Sequence, residues 1–411
     1  MKLAYMTGQY PRATDTFIQR EIQALRQQGF EIQTYSVRKP NIEQLVGKEQ
    51  KSECKRTFYL LPPNFFLLFI SHFYLVFTKI DFYLRGIKLA LKTSQPGIKG
   101  FFYQMFYFLE AGILAKQLDE NKIEHLHNHI ADSSCTVAML AAQLAGVPFS
   151  FTIHGPYIFF EPYRWALTTK IEQALFVSCI SYFCRSQCML FSSLDYWQKL
   201  HIVHCGVEPE LFNPVTHTGK GDRLLYVGRL AAAKGLPLML ESLANLKEVY
   251  SDLHLTVIGD GEDRHELKQL TQKLGLTQMV EFVGYKSQTE VREYLQKHDI
   301  FVLPSFAEGV PVSLMEAMAS GLPVISSRIA GISELVEHGK SGYLIPPGDI
   351  EQLCQKIEAL YLDSELRQSL GTHGCHHVLQ NFNIEKETDW LAEIFRGSQE
   401  KKILPIRFLN V

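Results

Sequence analysis

Two carboxylates eight residues apart, Glu308 and Glu316, stand in the densest chemical signal of the chain, Pro304-Ser305-Phe306-Ala307-Glu308-Gly309-Val310-Pro311 and the residues that follow. The apolar run 300–303 predicts a strand that ends at Pro304; Pro311 suits a first helical turn, and Gly321 with Pro323 stops that helix. Glu308 is therefore expected on a loop at the C-terminal end of a strand, and Glu316 one to two turns into the next helix. Open α/β sheets bind ligands at that end of their strands, and exposed helix N–H groups there favour phosphate. Two carboxylates in such a place are strong acceptors for sugar hydroxyls, which are neutral donors. The alternative for Glu316 is that it merely caps or solvates a helix.

A second strand signal, Leu224-Leu225-Tyr226-Val227, finishes in Gly228-Arg229 and is followed by Lys234-Gly235. Arg229 and Lys234 would bring two positive charges to the same end of a sheet, where they could neutralise a departing diphosphate. That role falls to them because the chain has no Asp-x-Asp metal dyad. A third strand, Val257-Ile258, leads into Gly259-Asp260-Gly261, a tight turn suited to a nearby phosphate. The dinucleotide fingerprint wants a further glycine where this chain has Arg264, so the case for NAD is weak. In the first half, the run 149–153 ends at His154-Gly155-Pro156, placing one imidazole at a sheet's C-terminal edge. His125, His127 and His129 alternate along an extended segment and share one face; a metal triad is conceivable there, but no carboxylate pattern accompanies it. Cys179, Cys184, Cys188 and Cys205 lie near His201 and His204, yet without the CxxC spacing of structural zinc. No metal site is expected.

The elements that must position these residues follow from periodicity. A strand-like run at 3–6, apolar positions Ile18, Ile22 and Leu25 at helical spacing, Gly29 as a stop and a strand-like 31–37 give strand, loop, helix, strand. The alternation returns at 123–127, 136–145 and 149–153, then in a second series running from 223 to 326. This predicts an α/β chain of two Rossmann-like, doubly wound parallel-sheet domains. The polar passage 208–222 reads as the linker, and the expected domains are 1–206 and 207–384, with a helical end at 385–411.

Composition bounds the rest. A chain of 411 residues, 46% apolar and 20% charged, is long enough for two or three cored domains and excludes a disordered or multi-span membrane protein. Its net charge of −2 argues against a nucleic-acid binder. Residues 1–205 nevertheless hold 21 basic and 15 acidic side chains, a net of +6, leaving −8 for the remainder. Eight irregularly spaced cysteines read as reduced thiols, and the first residues form no signal peptide, so a cytoplasmic protein is expected. Segment 58–108 stands out: 16 of its 51 residues are aromatic, and Lys79, Arg85, Lys88, Lys92 and Lys99 face Asp81 alone between positions 65 and 109. The uncharged run 65–77 is too short for a transmembrane helix. Either the segment is a surface that meets anionic lipid, or it is a pair of aromatic core helices with solvated basic faces.

The set Gly228-Arg229, Lys234-Gly235, Gly259-Asp260-Gly261 and Glu308 with Glu316 resembles the retaining glycosyltransferases of family 4, which have the two-domain GT-B fold. Tyr10-Pro11-Arg12 with Thr16-Phe17-Ile18, and Phe151-Thr152-Ile153-His154-Gly155-Pro156, resemble the colanic-acid and exopolysaccharide branch of that family. The resemblance implies a hexosyltransferase that moves a sugar from a nucleotide diphosphate sugar to a saccharide or lipid-linked saccharide acceptor, across a cleft closed by the two domains. Arg229 and Lys234 would hold the diphosphate, Glu316 would accept from the ribose, and Glu308 would sit beside the transferred sugar. His154 would contact that sugar from the first domain, Gly8 would line the donor cleft, and Gly259 and Gly261 would belong to the donor site. No cofactor or metal is implied, and the C-terminal helix would cross back to the first domain. The chain departs from the family at Thr7-Gly8-Gln9, where many members carry Gly-Gly, and at Gly331-Ile332. On the same fold a nucleotide-sugar epimerase is the rival enzyme. A non-catalytic nucleotide-sugar or polysaccharide-binding subunit is the rival of another class, although all five of His154, Arg229, Lys234, Glu308 and Glu316 are present. Peripheral contact with the inner face of the membrane through 58–108 completes the expectation.

Overall fold

The computed structural model describes residues 1–212, 214 and 219–400. Its chain divides into two compact units, residues 1–203 with 388 onward, and residues 204–387. The linker expected at 208–222 lies just inside the second unit, with positions 213 and 215–218 outside the described residues; so do 401–411 of the expected C-terminal helix.

The first unit holds β1 (Lys2–Gln9), β2 (Glu31–Arg38), β3 (Phe58–Tyr59), β4 (His125–His129), β5 (Phe149–Ile153), β6 (Val177–Cys179) and β7 (Leu200–Ile202). The second holds β8 (Arg223–Val227), β9 (His254–Ile258), β10 (Val280–Gly284), β11 (Ile300–Leu303), β12 (Val324–Ser327) and β13 (Tyr343–Ile345). All neighbouring strands pair in parallel, in the orders β3-β2-β1-β4-β5-β6-β7 and β10-β9-β8-β11-β12-β13. The strand order therefore reverses direction between β1 and β4 in one sheet and between β8 and β11 in the other. At such a switch point the two flanking connections leave toward opposite faces and open a crevice beyond the strand ends.

Local sequence explains the main elements. In the helix Thr16–Gln27, Ile18, Ile22 and Leu25 form the buried stripe. In the helix Ser133–Ala145, Asp132 caps the N-terminus by accepting from Ser134 N, and Gly146 ends it at φ +73°, a conformation that glycine adopts without a Cβ clash. β4 begins at His125 rather than at Ile123. The peptide N–H of Ile123 instead closes a turn on Leu118 O, and Lys122 takes a positive φ of 52°, so pairing with Leu3 starts at His125.

The final helix Ile384–Gln399 carries Trp390, Leu391, Ile394 and Phe395 into the core of the first unit, beside Tyr5, Ile22, Phe30 and Phe176. Trp390 Nε1 donates to Ile202 O at 3.1 Å, which satisfies the one polar atom of a ring that would otherwise be costly to bury. Cys179, Cys184, Cys188 and Cys205 are buried and in no disulfide, and burial raises the Cys179 thiol well above its usual range.

Candidate functional site

In the second unit, three loops meet at the C-terminal ends of β8, β9 and β11, and glycine spacing is what lets them meet. Gly228 N donates to Ile258 O and Gly259 N to Gly284 O, while Leu230 N reaches Asp260 O. Gly259 lies at φ +131°, and a Cβ there would stand 2.0 Å from Gly228 O. Gly235 lies at φ +68°, with Pro304 O only 1.9 Å from the position of a Cβ. A Cβ on Gly261 would stand 2.2 Å from Leu230 O. Backbone thus packs on backbone, and Phe306 N closes the set on Ala233 O at 2.8 Å.

That packing brings together residues far apart in sequence. Lys234 Nζ lies 2.6 Å from Glu308 Oε1, and the Ser305 hydroxyl donates to the same oxygen at 2.8 Å. Glu308 is buried and Lys234 is partly exposed, so the pair presents its cation toward solvent from beside β8 and β11. Glu316 is buried in the helix Val312–Ala319. Arg229 is held differently: its guanidinium, 61% exposed, pairs with Glu262 at 3.0 Å. An arriving diphosphate would compete with Glu262 for Arg229, a weak obstacle because exposed ion pairs contribute about 0–1 kcal/mol. The arrangement offers a cation, an exposed second cation and two buried carboxylates at a sheet's switch point, which suits a phosphate-bearing sugar ligand.

In the first unit the histidines form a chain rather than a triad. His129 Nδ1 lies 2.8 Å from His154 Nε2, His129 Nε2 lies 3.1 Å from Glu21 Oε1, and the Tyr5 hydroxyl donates to that oxygen at 2.8 Å. With a carboxylate as acceptor, His129 donates from Nε2, leaving Nδ1 to face His154 as acceptor. His154 then carries its proton on Nε2. Burial and the neighbouring His129 depress the His154 imidazole well below its usual range, which keeps it neutral. Phe17 packs against it with ring centroids 4.6 Å apart. Gly8 lies in the last part of β1, and nothing approaches closer than 3.8 Å to where its Cβ would be, with Asp132 and Ser134 nearest.

His125 and His127 share their face of β4 with His129, as alternation predicts, but serve the interior. Both bond to Ser150 Oγ, and both rings pack on Phe176 and Phe395. Burial depresses His125 to about 3. Among the described residues, Glu21, His127 and His129 place possible metal-ligand atoms within 4.8 Å of one another. The accompanying carboxylate absent from the local sequence pattern is therefore supplied by Glu21. The ring nitrogens of His127 and His129 already have hydrogen-bond partners in Ser150, Thr152, His154 and Glu21.

Sequence reasoning missed Glu21, His129 as the partner of His154, Glu262 and Ser305. Only Ser305, three residues before Glu308, carried a local signal; Glu21 and His129 are 108 residues apart and meet through tertiary packing.

The model of the family described as glycosyl transferases group 1 matches residues 207–376, and that of glycosyltransferase family 4 matches residues 87–211. These two glycosyltransferase models together take in most of the chain between residues 87 and 376. Among its relatives is the amylovoran biosynthesis glycosyltransferase AmsK of Erwinia amylovora, 42% identical over 165 residues, which are 38% of this chain and 40% of that one. A protein of Escherichia coli K12 designated a colanic acid biosynthesis glycosyltransferase, WcaL, is 27% identical across 97% of this chain and 100% of its own. The chain thus spans less than half of AmsK, and about half (51%) of the corresponding Salmonella typhimurium WcaL, in the matched regions. Solved structures share the fold. Sucrose-phosphate synthase from Thermosynechococcus elongatus aligns with a TM-score of 0.77 at 18% identity, over 98% of this chain and 100% of that one. Anabaena HepE in complex with UDP and glucose aligns at 0.73 and 17% identity, over 97% and 100%. The chain accordingly has the GT-B architecture of two Rossmann-like units.

Proposed function

We propose that this chain transfers a hexose from a nucleoside diphosphate sugar to a saccharide acceptor carried on a lipid, with retention at the anomeric carbon, in the assembly of an exopolysaccharide or cell-surface polysaccharide. The observation that carries the reading is the Lys234–Glu308 pair beside β8 and β11, built by three glycine-stitched loops. A uridine diphosphate donor is the first candidate, because the HepE neighbour holds UDP and UDP-glucose. The polysaccharide assignment follows the names of AmsK and WcaL.

In the proposed step the acceptor oxygen bonds to the anomeric carbon as the bond from that carbon to the phosphate oxygen breaks on the same face. The acceptor's hydroxyl proton passes to the departing phosphate oxygen, so no separate protein base is required. Lys234 and Arg229 neutralise the charge that grows on the diphosphate. Glu316 accepts from the ribose hydroxyls, Glu308 positions the transferred sugar through its held carboxylate, and His154 contacts that sugar. Gly8, Gly259 and Gly261 leave room for the donor. The two cations make the reaction independent of a divalent metal, and turnover unchanged by EDTA checks this. Eight cysteines in no disulfide fit a reducing cytoplasm, with the protein working at the inner membrane face.

The test is incubation with UDP-glucose, UDP-galactose and UDP-N-acetylglucosamine plus a lipid-linked saccharide extract, with NMR of the product. An α-linked product from one donor, accompanied by UDP, is expected. Absence of glycosylated product from every nucleotide sugar offered, including GDP and ADP sugars, would overturn the reading.

A further inference from the structure

Segment 58–108 places its aromatic residues on the solvent side. In the helix Phe65–Thr78, Phe66, Phe69, Phe73 and Phe77 follow one another at spacings of three and four and are 72%, 67%, 55% and 72% exposed, while Ser71 and Leu75 take the buried side. The helix Ile80–Thr93 repeats this with Ile80, Leu84, Ile87 and Leu91 exposed against buried Gly86, Leu89 and Ala90. The helix Ile98–Glu120 exposes Ile98, Phe102, Met105 and Phe106 in its first turns, whereas Ala111, Ile113, Leu114 and Leu118 are buried further along. The core-helix alternative for this segment is thereby corrected: the solvated faces are the aromatic ones. So many large apolar side chains exposed on one segment mark an interaction site.

We propose that these three helical faces form a monotopic surface that inserts into the interfacial layer of an anionic lipid bilayer. Among the described residues no single helix is long and apolar enough to cross a membrane, and the first two helices meet at a bend of 118°. Fourteen residues rise about 21 Å, short of the roughly 30 Å hydrocarbon core, so these helices lie in the interface rather than across it. Arg85, Lys88 and Lys99 accompany the apolar stripes; Lys79 instead pairs with Asp119, and Lys92 with Glu172. Arg85 and Lys99 lie over the rings of Phe82 and Tyr103, a basic-aromatic fringe suited to phosphate headgroups. Lys99 and Tyr103 also line a cavity of about 530 Å³ with Arg164 and Trp165, a polar recess at the edge of the surface. A second copy of the chain on this face would set like charges against one another, whereas an anionic bilayer complements them.

The surface is independent of the transfer reading, because its test reads binding without nucleotide or sugar. The full chain is floated with phosphatidylcholine vesicles containing about one-third phosphatidylglycerol at low salt. Wild-type protein is expected to float. The double substitution Phe69→Ser/Phe73→Ser and the triple substitution Arg85→Glu/Lys88→Glu/Lys99→Glu should each lower the bound fraction at least roughly tenfold. These positions are exposed, and an unchanged melting temperature verifies folding. Failure of the wild type to float, or equal flotation of the phenylalanine variant, would overturn the proposal. So would a lipid-free dimer in sedimentation equilibrium that the same substitutions dissociate, since a second copy would then cover the face.

Discussion

Lys234 Nζ and Glu308 Oε1 lie 2.6 Å apart although 74 residues separate them in sequence, because β8 and β11 are neighbours in the sheet while their loops are stitched by backbone. Neither residue acts alone: the lysine offsets a carboxylate that is buried, and the carboxylate fixes the lysine. We expect Glu308→Gln to stay folded, since the amide keeps an acceptor for Ser305 and Lys234, yet to lose turnover on the order of a hundredfold. Lys234→Ala should lose a similar amount or more and also melt earlier, because it leaves Glu308 without its counter-ion. Steady-state kinetics beside thermal melts check both, and near-normal turnover in either would remove these roles.

The glycines divide into two kinds that substitution separates. Gly259→Ala and Gly235→Ala place a Cβ about 2 Å from a carbonyl oxygen at positive φ, so both should be clearly destabilised, by about 1–3 kcal/mol or more. Gly8→Ala meets nothing within 3.7 Å and should melt like the wild type. If the donor lies against Gly8, that variant alone will bind nucleotide more weakly at unchanged stability; equal nucleotide affinity would take Gly8 out of the donor site.

The chain from Glu21 through His129 to His154 sets the tautomer of the last imidazole. Glu21→Gln removes the carboxylate that selects it and should cut kcat by about tenfold, the scale of one charge-assisted hydrogen bond, while His129→Gln should cut it further. A purely structural role would lower the melting temperature but leave the turnover of the folded fraction intact, and that outcome would contradict the assignment.

Acidification should weaken the first unit. Burial holds His125 at about 3 and His201 at about 4, and depresses His127 and His154 well below their usual range. The unfolded chain takes up protons near pH 6.5 where the native state does not, so this stability is present above about 6.5 and is lost as pH falls. Glu110, raised to about 7 by burial, works in the opposite sense, since its contribution is lost as pH rises from its unfolded value toward 7. His72 is depressed by burial as well, so five imidazoles outweigh Glu110 and Asp15, the two carboxyls that burial raises in this unit, and the melting temperature should drop between about pH 7.5 and 5.5. An equal or higher melting temperature at the lower pH would contradict this.

Much of the frame was legible because it rests on local pattern. The runs 223–227 and 300–303 are strands at the bounds that periodicity gives, and Pro311 and Gly321 bracket the helix that carries Glu316. The short strands β3, β6, β7 and β13 carried too few residues for a period to show. Long-range pairs were illegible for a different reason. Glu21 reaches His129, and Phe395 packs on His125, only because the sheet and the last helix bring them together. The aromatic segment was readable as unusual, but composition cannot tell which side of a helix faces the core. Only the exposure of Phe66, Phe69, Phe73 and Phe77 decides that.

The most direct test of the central claim is nucleotide binding by the purified chain, measured as the thermal shift with UDP, GDP, ADP and NAD. A ligand at one hundred times its dissociation constant adds about 2.7 kcal/mol to the native state, enough to move the melt by a few degrees. The account predicts a selective rise with one nucleoside diphosphate, first of all UDP, that Lys234→Ala abolishes. Silence from all three diphosphates, or a response to NAD alone, would contradict it.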